Sequence, residues 1–131
     1  MSGSEAASGP GGRVLLLDSI TKIAPGDAGA VVVTGSHGGA SVVAYALSVK
    51  LKLAVFNDAG VGKDRAGIAA LDALQAKGVA AAAIAHTSGR IGDAADMWAH
   101  GVVSHVNAPA AALGLKPGEN AQTALRRLIG A

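Results

Sequence analysis

The chain has 131 residues, of which 11 are basic, 9 are acidic and none is cysteine. Without cysteine there can be no disulfide bond, thiolate metal ligand or thiol catalysis, so any metal would need His, Asp or Glu ligands. The net charge of +2 is spread along the chain, which argues against a nucleic-acid partner. No apolar run approaches the roughly 20 residues of a membrane span and no signal peptide is recognisable, so we expect a cytoplasmic protein that does not bind membranes.

The apolar residues are mostly small. Half of the chain is apolar, yet only Tyr45, Phe56 and Trp98 are aromatic. Helices rich in alanine bury little surface unless neighbouring elements or subunits cover them. We therefore expect a homo-oligomer; an alanine-biased genome is the alternative explanation of the same composition.

The first 12 residues differ in composition from the rest. MSGSEAASGPGG is small, polar and rich in Gly and Ser, which predicts a disordered N-terminal segment. Residues 13–131 are then expected to form one domain.

Five short apolar segments predict β-strands. Each is rich in β-branched or small apolar residues, and turn or glycine-rich residues bound it. They are residues 14–17, 30–33, 53–56, 79–85 and 102–106.

Helical patterns alternate with these strands. Asp64, Asp93 and Asn107 are expected to cap helix N-termini, and Gly78 to end the helix that carries Ile68, Leu71 and Leu74. Strands that are apolar on both faces and alternate with helices indicate a parallel sheet covered on two sides. We predict a single three-layer α/β domain, Rossmann- or flavodoxin-like, with a mostly parallel sheet of about five strands.

Most of the unusual polar residues follow directly after a predicted strand. In open α/β sheets, ligands bind beyond the carboxyl ends of the strands. The candidate ligand-binding residues at this edge are Asp18, Gly35, Ser36, Gly38, Gly39, Asn57, Ser88, Arg90 and His105.

The loop GSHGG, residues 35–39, is the first candidate for binding an anion. Its glycines would let backbone N–H groups approach a ligand in front of a helix N-terminus, and His37 could carry a proton. The spacing matches neither a nucleotide P-loop nor a dinucleotide fingerprint. The alternative is a tight turn with positive φ, in which His37 is simply hydrogen-bonded.

The stretch FNDAGVGKDRAG, residues 56–67, is the densest in polar groups. Asp58 comes directly after a strand, and a carboxylate beside Lys63 could supply acid and base. We expect both to face His37 across neighbouring strand ends. A surface ion pair is the alternative.

The stretch HTSGRIGD, residues 86–93, supplies His86 as a further proton carrier. The planar guanidinium of Arg90 suits a carboxylate or phosphate, although a salt bridge to Asp93 or Asp58 would also explain it. His105 is expected at the same edge, with a hydrogen-bonded strand-end histidine as the alternative.

The function favoured by these residues is binding of a small anionic metabolite, with acid–base catalysis of the isomerase, lyase or hydrolase type. His37, Asp58, Lys63 and His86 are the candidate catalytic residues; no cofactor and no metal ligand is assigned. One alternative is a non-catalytic ligand-binding or regulatory module. The other is a metal-dependent hydrolase using Asp18, His37, Asp58, His86 or His105, although no HxH, HExxH or DxD spacing is present.

Overall fold

The computed structural model describes residues 3–131, which form a single α/β domain around one six-stranded mixed sheet. The strands lie side by side in chain order: β1 (Ser4–Gly9), β2 (Gly12–Leu17), β3 (Val31–His37), β4 (Leu53–Asn57), β5 (Ala81–Ile84) and β6 (Val103–Val106). All five predicted strands are present, and β1 is an additional one.

The sheet is only partly parallel. The four central strands, β2 to β5, are parallel to one another. β1 pairs antiparallel with β2 at one edge, and β6 pairs antiparallel with β5 at the other. The sequential strand order leaves the predicted Rossmann- or flavodoxin-like arrangement unconfirmed.

Residues 3–131 also form five α-helices and four 3-10 segments, and the last two helices follow the last strand. The helices are α1 (Val43–Leu47), α2 (Ala69–Ala76), α3 (Ala94–His100), α4 (Ala108–Ala112) and α5 (Ala121–Ile129). The 3-10 segments are Ile20–Lys22, Pro25–Asp27, Ala40–Val42 and Lys63–Ile68. Within the described chain, no helix combines the length and apolar character that a membrane crossing needs.

Alternating side chains divide the core between the two faces of the sheet. In β4, Leu53 and Val55 pack in the cluster that contains α3 and α5 residues, whereas Ala54 and Phe56 pack with α1 and α2 residues. Successive side chains of a strand point to opposite faces, so a strand buried on both sides must be apolar throughout. The expected covering of both faces is therefore found.

The N-terminal segment differs from the prediction of disorder. Residues 4–9 are β1, the outer strand of a hairpin with β2, and residues 1–2 lie outside the described part of the chain. The hairpin turn packs on the end of α5: Gly11 N donates to Ile129 O at 2.9 Å, and a Cβ at Gly11 would lie 3.0 Å from Ile129 Cα. The small residues that suggested disorder allow this close backbone contact.

Two of the three predicted helix caps are confirmed. Asp93 caps α3 by accepting from Asp96 N, and Asn107 caps α4 by accepting from Ala110 N. The cap assigned to Asp64 is wrong, because Asp64 lies in a left-handed turn (φ 56°) and α2 begins five residues later at Ala69.

A chain that starts at Gly12 should be less stable than the whole protein, because it lacks β1 and its ladder to β2. We expect a loss of about 2 kcal/mol in the free energy of unfolding, measured by urea denaturation. An unchanged unfolding midpoint would mean that β1 contributes no stability.

Asn107→Ala should destabilise the domain by about 3 kcal/mol, because Asn107 is buried and its side chain bonds Ala81 N, Ala110 N, Leu71 O and Val79 O. Asn120→Ala is the matched control, since this exposed residue caps only α5, and should cost about 1 kcal/mol. Equal losses in urea denaturation would contradict the special role of Asn107.

Candidate functional site

The connections after β4 and β5 leave the sheet on opposite faces. The chain leaving β4 leads to α2, whose Leu71 and Leu74 pack beside Phe56, whereas the chain leaving β5 leads to α3, whose Met97 packs in the other core cluster. In open α/β sheets, ligands bind between loops that diverge in this way at the carboxyl ends of the strands, and we call the space between these two loops the crevice.

Asp58 and His86 meet at this crevice. Asp58 follows β4 directly and its side chain is 7% exposed, whereas His86 follows β5 by one residue and its side chain is 52% exposed. Nδ1 of His86 lies 3.3 Å from Oδ1 of Asp58. With its proton on Nδ1, the ring donates to the carboxylate, and the lone pair of a neutral imidazole then sits on Nε2.

Two backbone groups hold the Asp58 carboxylate in place. Oδ1 accepts from Gly60 N at 2.8 Å and from His86 N at 3.0 Å, so one oxygen joins both loops. Burial by itself raises the pKa of Asp58. The hydrogen bonds from Gly60 N, the Ser104 hydroxyl, and the backbone and ring of His86 outweigh burial and hold this pKa below its ordinary value. Asp58 is therefore an anion at neutral pH.

Ser104 extends this arrangement to a second histidine. Its hydroxyl interacts with Asp58 and lies 2.9 Å from Nδ1 of His105. The same hydroxyl is 3.3 Å from Ala83 O, to which it can also donate. In the sequence, Ser104 is one of several polar residues near the end of the fifth predicted strand and was not selected as a candidate; in the structure it lies within β6, antiparallel to β5.

His105 does not lie at the strand end where it was expected. Gly101 packs against Ile84 at the end of β5, so the chain re-enters the sheet at the carboxyl edge and β6 runs in the opposite direction. His105 pairs with Ala83 within the sheet. The prediction of a parallel fifth strand, with His105 at its carboxyl end, is therefore wrong, because this strand is antiparallel to β5.

The loop after Asp58 has an unusual backbone. Ala59, Val61, Asp64 and Arg65 have φ values of 51°, 66°, 56° and 59°, in the left-handed region that non-glycine residues rarely adopt. Each costs on the order of 1 kcal/mol, so the rest of the structure must impose this shape. Gly67 contributes, because its N–H bonds Val61 O at 2.7 Å.

His37 lies on the other side of this loop. It lines a cavity of about 290 Å³ together with Ala59, Val61, Gly62 and Ala66. Its Nδ1 accepts from Gly39 N at 3.0 Å, so the proton of the neutral ring is on Nε2. The structure thus pairs Asp58 with His86, whereas the sequence had predicted that it faces His37.

The glycines of residues 35–39 are explained by close packing. A Cβ at Gly35 would lie 2.7 Å from Gly92 Cα, and one at Gly38 would lie 2.8 Å from Gly67 O. Neither Gly38 N nor Gly39 N is free for an anion, since they donate to Asn57 O and to His37. None of the three glycines has positive φ, so the predicted tight turn is not found. The other part of that alternative, a hydrogen-bonded His37, is found.

Four other candidates hold the loops together through their side chains. Asn57 Nδ2 donates to Gly89 O, Ser88 Oγ joins Ala85 O to Val102 N, Asp18 Oδ1 accepts from Ala94 N, and Ser36 Oγ accepts from Ile20 N. Their contacts position the edge of the sheet.

Arg90 and Lys63 are exposed cations on the two loops that border the crevice. Among residues 3–131, neither forms a salt bridge, so the predicted pairing of Arg90 with Asp93 or Asp58 is not found, and neither is the surface ion pair considered for Lys63. The ammonium group of Lys63 and the guanidinium group of Arg90 are therefore not held in an ion pair by any described residue, while Asp58, Asp64 and Asp93 balance the charge of the two loops.

The residues considered for a metal-dependent hydrolase do not form a group of three ligands in the described chain. In the part of the chain that the structure describes, no three His, Asp or Glu side chains are placed to hold an ion.

Asp58→Asn should lower the free energy of unfolding at pH 7 by about 2 kcal/mol, because charge-assisted hydrogen bonds are lost. Since the native pKa is lowered, this contribution is complete above the unfolded pKa of about 3.9 and disappears as the pH falls through the native pKa. Urea denaturation at about pH 7 and pH 3 should show the difference between wild type and variant shrinking in acid.

Asp72→Asn is the control for this pH dependence, because Asp72 is exposed on α2. It should change the stability little at either pH. An Asp58→Asn difference that stays constant down to about pH 3 would contradict the lowered pKa.

Comparison of the chain with protein-family models, with curated proteins and with solved structures finds no match in any of the three. What the domain does must therefore be inferred from the geometry of the crevice between β4 and β5.

Proposed function

We propose that the protein is a cytoplasmic enzyme that acts on a small anionic metabolite, with His86 as its general base. The observation that carries this proposal is the buried Asp58 carboxylate, bonded to Nδ1 of an exposed imidazole at the reversal point of the sheet. Proton transfer to such a base can serve reactions of the isomerase, lyase or hydrolase type.

The division of labour follows from where each group lies. The Asp58 side chain is buried, so it is a positioning residue. It fixes the ring of His86 and stabilises the imidazolium that forms when Nε2 accepts a proton. Because Oδ1 of Asp58 is itself held by Gly60 N and His86 N, the carboxylate need not reorganise during the transfer.

His37 supplies the complementary form of imidazole. Its Nδ1 is occupied by Gly39 N, which leaves Nε2–H as a donor for a substrate oxygen. β3 and β5 are separated only by β4, so the two histidine-bearing strand ends are roughly 10 Å apart. The loop of residues 59–67 lies between the two histidines, so a substrate that uses both would lie across this loop, with a base at His86 and an acid at His37.

The preference for an anion rests on Arg90 and Lys63. Both side chains are exposed on the loops beside the crevice and form no salt bridge within residues 3–131, so they are available to bind a carboxylate or phosphate group. The glycine loop at 35–39 is not part of this proposed anion site, because its amides already donate within the protein.

The test is proton exchange in D₂O. The protein is incubated with a panel of small carboxylates and phosphate esters, and ¹H NMR follows the loss of carbon-bound proton signals and the appearance of products. For any compound that turns over, His86→Gln should reduce kcat at least ~100-fold while binding is retained, because the amide cannot accept the proton. His100→Gln, at the exposed end of α3, is the matched control and should leave kcat unchanged.

A ligand that binds but is never transformed, and that binds the His86→Gln variant equally well, would contradict the enzyme and favour a binding module. If no member of the panel binds or reacts, the anionic-metabolite proposal fails as well.

A further inference from the structure

The opposite edge of the sheet contains a second cleft that the proposed reaction does not use. It lies at the amino ends of β4 and β5, has a volume of about 460 Å³, and is floored by apolar residues that include Val49 and Val79. A cleft of this size falls within the range of small-molecule sites, about 300–1,000 Å³.

The charged side chains around this cleft are all of one sign. Lys50, Lys52 and Lys77 contribute to its lining, and no Asp or Glu of the described residues does. Lys52 Nζ is bonded to Gly11 O, whereas Lys50 and Lys77 form no salt bridge within residues 3–131. Lys77 also suits the C-terminus of α2, but this role leaves its ammonium group accessible.

Buried contacts fix the walls of the cleft before any ligand arrives. Asn107 donates to Val79 O at 2.9 Å and accepts from Ala110 N at 3.1 Å, so it fastens the wall before β5 to α4. At the rim, Leu47 and Leu113 are 40% and 38% exposed. The cleft therefore combines a preformed apolar surface with two available ammonium groups.

We propose that this cleft binds a small anionic amphiphile, with a carboxylate head between Lys50 and Lys77 and an aliphatic body on the apolar floor. A fully polar anion would leave the floor and the two leucines uncovered, and a neutral apolar molecule would leave both lysines uncompensated. A ligand that matches both the apolar floor and the lysines therefore needs an apolar body and a negative charge.

Octanoate is the test ligand, titrated into the whole chain and followed by isothermal calorimetry and by amide shifts in ¹H–¹⁵N spectra. We expect saturable one-to-one binding with shifts at the cleft. The double variant Lys50→Gln/Lys77→Gln should weaken binding at least ~10-fold, a loss of about 1.4 kcal/mol. The matched double variant Lys22→Gln/Lys116→Gln removes the same charge elsewhere and should bind like the wild type.

Three outcomes would overturn the proposal. Octanoate could fail to saturate the protein at concentrations on the order of 10 mM, which corresponds to less than about 3 kcal/mol of binding. Octan-1-ol could bind as tightly as octanoate, so that the lysines play no part. Sedimentation could instead reveal a dimer that Leu47→Glu and Leu113→Glu abolish, in which case a second copy of the chain covers the cleft.

Discussion

The Asp58 carboxylate is the interaction on which the carboxyl edge of the sheet depends. One oxygen receives the N–H of Gly60, from its own loop, and the N–H of His86, from the loop after the neighbouring strand. Because both donors belong to the backbone, the carboxylate fixes the relative position of two loops as well as of one side chain. The same oxygen then orients the ring of His86, so loop structure and imidazole geometry are determined together.

This dependence explains how a loop with four left-handed non-glycine residues can persist. Its conformation costs several kcal/mol in local strain, of the order of 1 kcal/mol at each position. The hydrogen bonds to Asp58 and the bond from Gly67 N to Val61 O offset part of that cost. Backbone strain of this kind is concentrated at functional sites, where the surrounding structure imposes a geometry that the chain would not choose alone.

Local sequence patterns were sufficient to locate most strands. They were insufficient to predict the direction of β6 and the contacts between the loops. The β-branched and alanine-rich runs predicted every strand except β1, whose small polar residues carry no apolar alternation. The direction of β6 depends on where Gly101 returns the chain to the sheet, a tertiary contact that periodicity does not report. Asp58 and His86 were each recognisable because they follow strands. Their pairing was not, because it requires that β4 and β5 lie side by side, and the strand order cannot be read from local patterns.

The sequential order of the strands has a consequence for how the domain is made on the ribosome. β1 to β5 can add to the growing sheet in the order in which they emerge, since each strand finds its neighbour already present. One face is nevertheless only partly covered by α3 until α5 emerges, because Leu125 and Ile129 of that core belong to α5. α5 closes the core against the hairpin of β1 and β2, so the nascent chain exposes apolar sheet surface until α5 has left the tunnel.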